Sequence, residues 1–200
     1  MIEISNCEVC NNSDLLTVLD LGLHALCDDL VKINHNRICE QYPIEILFCN
    51  NCFTAHQRFQ IPRKKLFPKS YHYRARMTGS VLTGMADLVE NCEKKFGNLA
   101  NKIALDIGCN DGSLLDFFKK KGCKTIGIEP TNAIKDSKHD SIQTYFDLKS
   151  AKMIKAKIGT PDFITFTNVF AHISNLQELL DSLRLLISPD TIIIIENHYL

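Results

Sequence analysis

Two Cys-x-x-Cys pairs, Cys7 with Cys10 and Cys49 with Cys52, constrain this chain more than any other feature of its sequence. Each pair lets two thiolates grip one ion from a tight turn, and four thiolates make a closed tetrahedral site of the structural-zinc kind. Closing it would tie the start of the chain to residue 52 and make a single small module of what lies between. The competing reading is a redox pair or scattered buried thiols. Nine cysteines are an odd number, which excludes a fully paired disulfide framework within one molecule and favours metal. Cys27, Cys39, Cys92, Cys109 and Cys123 lack such partners and are expected to behave as small core hydrophobes. His24, His35 and His56 are alternative ligands without the paired spacing.

Between the knuckles, LLTVLDLGLHALCDDL and YPIEILF read as short strands punctuated by Gly22 and Pro43. We expect a β-rich zinc-binding module over residues 1–68, too small to hold a secure core and dependent on the metal for folding free energy. A basic and aromatic connector follows, broken by Pro62 and Pro68. From Thr78 to Phe96, apolar residues recur at spacings of three and four, the stripe of an amphipathic helix. Connector and helix occupy residues 69–100.

From Ile103 onward, strand and helix patterns alternate, which predicts an α/β domain over residues 101–200: a Rossmann-like parallel sheet with helices on both faces. Gly122 follows the lysine-rich end of the first helix, and Ser174 with Gln177 reads as a capping box on the last. SIQTYFD reads as a strand, and the polar stretch before it as helical. The run Ile192 to Ile195 has no polar face, as expected of a strand covered on both sides.

In such a sheet, ligands bind at the carboxyl ends of the strands. The first strand runs into Asp106-Ile-Gly-Cys-Asn-Asp-Gly112, where Gly108 and Gly112 would let backbone approach a ligand closely. The second ends on Glu129, 21 positions beyond Gly108, the interval expected of a carboxylate that binds both ribose hydroxyls. A nucleoside ligand is therefore expected. The dinucleotide fingerprint G-x-G-x-x-G is absent, because Asn110 and Ser113 stand at its second and third glycines. Asp111 would repel a pyrophosphate, whereas S-adenosylmethionine (SAM) brings an ammonium and a sulfonium that favour negative charge. The bland alternative is a glycine turn in a nucleotide-free domain.

Composition sets limits on partners. The chain is 45% hydrophobic and 23% charged with zero formal net charge, which argues against broad attraction to nucleic acid or anionic membrane. A zinc-ribbon nucleic-acid binder is disfavoured on the same ground. MIEISNCEVC has neither a basic flank nor an apolar run of signal-peptide length, and the sequence is read as cytoplasmic, with no membrane span.

The chain resembles the SAM-dependent sugar C-methyltransferases that open with a zinc-binding domain. The resemblance rests on both cysteine knuckles, VLDLGLHAL, FCNNCFTAHQ, KSYHYRARMTGSVLTGM, ALDIGCNDGSLL, GIEPTN, TNVFAHI and IENHYL, in that order along nearly the whole chain. It implies a class I methyltransferase acting on carbon of a nucleotide-linked keto-deoxysugar. The implied cofactor residues are Asp106, Gly108, Asn110, Asp111, Gly112, Glu129, Pro130, Asn168 and His172.

Methylating a carbon beside a ketone requires removing a proton, stabilising the enolate oxygen and aligning the carbon with the sulfonium methyl. By resemblance His198 lies in the substrate pocket, and Tyr71 and Tyr73 belong to a connector folded over the active site; the tyrosines read equally as packing aromatics. Arg58, Arg63, Lys64 and Lys65 are either a solvated face or a seat for a diphosphate. The family continues past the fifth strand with two more strands, a Tyr-His-Glu-His segment bearing its principal base, and a third domain. Without them, the expectation is a zinc- and SAM-binding chain that needs that portion or a partner to turn over. Its exposed fifth strand would then favour self-association or a second polypeptide.

Overall fold

The computed structural model describes residues 1–197, so the expectation placed on His198 lies outside the described residues. The chain divides into two compact units, Met1–Pro68 and Lys69–Leu200.

The first unit contains β1 (Ile2–Glu3), β2 (Leu15–Ala25), β3 (Gln41–Cys49), β4 (Ala55–Gln57), β5 (Phe59–Gln60) and the short helix α1 (Arg63–Leu66). Strands β2, β3 and β4 form an antiparallel sheet in that order, and β1 pairs with β5. Gly22 and Pro43 do not break strands. Both lie inside long ones, and the β2–β3 register shifts between Asp20 and Leu23, around Gly22 at φ +76°. An extra residue accommodated as a bulge bends a strand without ending it. Little of this unit is buried. Its buried apolar residues are Cys7, Tyr42, Leu47 and Cys49, joined by His56, while β2 leaves Leu16, Val18, Leu21 and Leu23 exposed. Cys27 is exposed and Cys39 only partly buried, so neither is a core residue. They sit between β2 and β3, where so small a unit has no interior to receive them.

The second unit contains α2 (Gly79–Phe96), β6 (Ile103–Ile107), α3 (Ser113–Lys120), β7 (Lys124–Ile128), β8 (Asp140–Ile142), α4 (Leu148–Ile158), β9 (Phe163–Thr167), α5 (Leu176–Leu186) and β10 (Ile192–Glu196). All five strands are parallel, in the order β10-β9-β6-β7-β8. Strand alternation sends Leu105, Ile107, Ile126, Ile128, Ile164 and Phe166 into one core with α4 and α5. Ala104 and Phe163, on the opposite face, pack with Val89, Leu114 and Phe118 of α2 and α3. The chain moves outward from β6 to β7 and β8, then returns to β9 on the other side of β6. That reversal opens a crevice at the carboxyl ends of β6 and β9.

Several local expectations are corrected. Of SIQTYFD only Ser141 and Ile142, in the short β8 (Asp140–Ile142), pair with β7; Thr144 N–H turns back to Ile142 O, and Asp147 serves as the N-cap of α4. The polar stretch before it is a 3-10 turn, Asn132–Asp136. The cap of α5 is Asn175, whose side chain accepts from Glu178 N–H at 3.0 Å, and not Ser174. The helix starts at Leu176, and only the residue just before it can reach the N3 amide. Strand β10 is not covered on both faces: Ile192 and Ile194 pack against the α2–α3 core, but Ile193 and Ile195 are 38% and 47% exposed. Among the described residues β10 pairs only with β9, at the sheet's edge.

Candidate functional site

In the first unit the sheet and the amino-terminal turn bring Cys7, Cys10, Cys49 and Cys52 together, all four sulfurs within 4.8 Å of one another. Cys7 Sγ lies 3.4 Å from Cys52 Sγ, and Cys10 Sγ lies 3.6 Å from Cys49 Sγ. A tetrahedral ion with bonds of about 2.3 Å would set its sulfurs about 3.8 Å apart, so the cluster fits zinc. The two knuckles have the same backbone. Asn11 N–H donates to Cys7 O and Cys7 N–H to Asn12 O; likewise Phe53 N–H donates to Cys49 O and Cys49 N–H to Thr54 O. Asn11 and Phe53 both adopt left-handed backbone at φ 60°, a strained choice for phenylalanine that closure of the turn requires. Burial pushes the Cys7 thiol up to about 11, while hydrogen bonding, first from Asn51, draws Cys10 down to about 6. His24 bonds Leu21 O, and His35 accepts from Arg37 N–H. Among the described residues only the four cysteines form a ligand group.

In the second unit, Gly108, Glu129 and Asn168 follow β6, β7 and β9 at the crevice. Gly108 (φ +75°) has no room for a side chain, since a Cβ would stand 2.4 Å from Val169 Cγ2. Gly112 (φ +80°) would set one 2.6 Å from Ser137 Oγ. Left-handed backbone and close approach together make these two positions glycine. Buried Glu129 accepts Thr131 N–H at 2.9 Å on Oε1 and Asn110 N–H at 3.1 Å on Oε2. A carboxylate offers about four acceptor positions, so about two remain for hydroxyls.

The amides of the loop are mostly engaged. Gly108 and Cys109 N–H both donate to Ile128 O, Asn110 N–H to Glu129, Gly112 N–H to Cys109 O and Ser113 N–H to Asp111. A pyrophosphate cradle needs unengaged amides aimed at the anion, and those five point elsewhere. The loop suits a nucleoside without a diphosphate.

The reason differs from the one read in the sequence. Asp111 is buried, with Ser113 Oγ donating at 2.6 Å and Arg76 donating through N and Nε at 3.0 and 2.9 Å. Burial would raise this carboxyl, but the hydrogen bonds from Ser113 and Arg76 outweigh it and hold it below the usual carboxylate range. Its charge is compensated within the protein and organises the connector. Asn110, left-handed at φ 50°, accepts from Ala75 N–H and donates to Tyr73 O. Arg74 bonds Asp136 and the carbonyls of Tyr71 and Tyr73. Residues 71–76 are thereby held against the glycine loop, the rings of Tyr71 and Tyr73 meeting edge-on at 6.5 Å.

Asp106 ends up opposite Thr165 across β6 and β9, and Thr165 Oγ1 donates to its carboxylate at 2.6 Å. Burial raises Asp106 to about 7, against the Thr165 hydrogen bond and with help from the charge of Glu129. Burial likewise lifts the Cys109 thiol well above its ordinary value. Asn168 adopts left-handed backbone, with its N–H on Glu196 O; His172 ends a 3-10 turn, and Pro130 follows Glu129. Of the basic residues that could seat a diphosphate, Arg58 pairs with Glu45 and Lys65 with Glu40. Sequence reasoning missed Arg74, Arg76 and Thr165. The two arginines flank Ala75 in a motif whose tyrosines drew attention, and Thr165 is a polar residue in an otherwise apolar strand.

Residues 73–199 match the family described as "Methyltransferase domain", and residues 7–67 the family described as "Putative zinc binding domain". Over 98% of its length the chain is 26% identical to the C-methyltransferase NovU of Streptomyces niveus, covering 48% of that protein. It therefore spans about half the length of the curated relative it matches. Among solved structures it is similar to the plantazolicin methyltransferase BpumL in complex with a pentazolic desmethylPZN analog and SAH. That likeness has 23% identity and a TM-score of 0.47, over 60% of this chain and 48% of that one. A SAM-dependent methyltransferase from Agrobacterium tumefaciens is similar at 13% identity and a TM-score of 0.42, over 78% and 50%.

Proposed function

The chain belongs to the methyltransferase-domain family, with a class I SAM-dependent fold and a zinc-binding domain ahead of it; from that premise we propose that it serves C-methylation of a nucleotide-linked keto-deoxysugar. The observation that carries the cofactor site is Glu129. It is a buried carboxylate at the mouth of the crevice, braced by two amides and left with acceptor positions for a ribose diol. The relation to a C-methyltransferase over nearly the whole chain supports carbon as the acceptor, and the ordered sugar-methyltransferase motifs support the substrate class.

SAM supplies a methyl carbon made electrophilic by its sulfonium. The chain's residues bind and orient. In this reading Glu129 holds the ribose, Gly108, Asn110 and Gly112 shape the loop with Asp111, and Asp106, Pro130, Asn168 and His172 complete the cofactor site. For that methyl to be accepted, the substrate carbon beside the ketone would have to give its proton to a base, and residues of the site would have to hold that carbon in line with the methyl. Tyr71 and Tyr73 are the described candidates to position the sugar, with His198 as a third. Cys7, Cys10, Cys49 and Cys52 would hold zinc with no open position, which makes that ion structural.

Calorimetric titration with SAM, and transfer of labelled methyl to a keto-deoxysugar nucleotide, test the reading. Glu129→Ala should weaken SAM binding about 10- to 100-fold through the lost hydroxyl partners. Equal affinity in variant and parent would remove Glu129 from the site. Transfer to the sugar nucleotide supports the substrate class, and its failure in a chain extended to the relative's full length would refute it. Binding by the 200 residues without transfer would mean that turnover needs the half of the relative this chain does not span.

A further inference from the structure

His56 lies in β4, which pairs with the strand that carries Cys49 and thus borders the thiolate cluster. Its side chain is 5% exposed, and its Nε2 stands 3.1 Å from Cys7 Sγ, a buried contact. It does not belong to the four-sulfur ligand group. Its other nitrogen has the Glu8 carboxylate at 3.8 Å, beyond hydrogen-bond reach, so among the described residues Cys7 is the nearer polar partner of the ring. Thr54 Oγ1 stands 3.2 Å from Cys52 Sγ. Cys7 and Cys52 are themselves 3.4 Å apart, so polar side chains meet one thiolate of each knuckle.

A zinc ion with four thiolates carries two net negative charges, and the buried sulfurs would have little solvent to spread them. A metal-bound thiolate has no hydrogen to give, so a side chain 3.1 Å away can only donate to it. We infer that His56 is a positioning residue of the zinc site, donating Nε2–H to the Cys7 thiolate and thereby retaining the ion. The inference rests on zinc occupying the four cysteines. Its alternative is a core histidine that merely fills space beside a sulfur.

The zinc-loaded chain distinguishes them. Zinc content is measured first: its absence sinks the zinc reading, whereas one zinc per chain leaves His56 to be judged separately. His56→Phe should release zinc to a chelator about 10-fold faster, while His56→Gln, which keeps an N–H donor, should lie between it and the parent. Cobalt substitution should show a shifted thiolate charge-transfer band in His56→Phe. The parent protein loaded with cadmium-113 provides a readout that no variant's folding can spoil. The imidazole should carry its hydrogen on Nε2 and show scalar coupling to the metal through Cys7. A folded His56→Phe with the parent's release rate and cobalt spectrum, or an uncoupled Nε2 without hydrogen, overturns the inference.

Discussion

Burial converts Asp106 from an ordinary carboxyl into one that titrates at about 7, and this has a consequence for stability. The unfolded chain ionises the same group near 3.9. Between those values the native state holds a proton that the unfolded state has lost, so stability falls as pH rises from about 4 to about 7 and levels off above. The full effect is on the order of 4 kcal/mol. Asp106→Asn cannot ionise, and its urea midpoint should stay level across the window in which the parent's declines. Matching pH profiles for the two proteins would show that Asp106 is not the group responsible. Asp111 shows the opposite outcome for the same residue type, held ionised by Arg76 and Ser113. Two aspartates five residues apart thus acquire different chemistry, one from complete burial in the sheet, against the hydrogen bond from Thr165, the other from Ser113 nearby and an arginine 35 positions away. The burial and the arginine are not written in the local sequence.

Elements were more legible than their ends. The three-and-four spacing before Phe96 and the alternation after Ile103 recovered α2 and the parallel sheet, because side-chain period follows directly from backbone geometry. Boundaries depend on single hydrogen bonds. Ser174 and Asn175 are both good N-cap residues, and only the start of α5 at Leu176 selects the second. Asn175→Ala should lower stability by about 1 kcal/mol, while Ser174→Ala should change it by less than about 0.5 kcal/mol. Denaturant unfolding of the two variants checks this, and the reverse order would return the cap to Ser174. Segment 141–147 departs from its strand pattern for a related reason. Its alternating residues suit a strand, yet only Asp140–Ile142 finds a neighbour in β7, and the chain then turns to cap α4.

At the scale of the molecule, the two units rest on different foundations. Lys69–Leu200 buries a sheet between two layers of helices. Met1–Pro68 has few buried apolar side chains, and two of these, Cys7 and Cys49, are candidate metal ligands. Removing zinc with a chelator should therefore abolish amide protection in β2, β3 and β4, and restoring it should bring protection back. Hydrogen exchange unchanged by chelation in a zinc-bearing sample would show that the unit folds without the ion. The described part of the second unit contains no helix long and apolar enough to cross a membrane, nor does the first. Exposed Ile193 and Ile195 on β10 present an apolar surface at one edge of the sheet.

By itself the sequence determined the knuckle spacing, the periodicities of strand and helix, and the glycine loop followed by its acid, all of which are encoded within short stretches of chain. Only the tertiary structure decided that Gly22 is a bulge, that Arg76 compensates Asp111, that Thr165 faces Asp106 and that His56 reaches Cys7. Each of these joins residues distant in sequence or depends on what the opposing strand offers. The strand pairings among them arise when a register is chosen, and a one-residue slip would exchange the buried and exposed faces on which they depend; Arg76 meets Asp111 only because the connector folds back on the glycine loop.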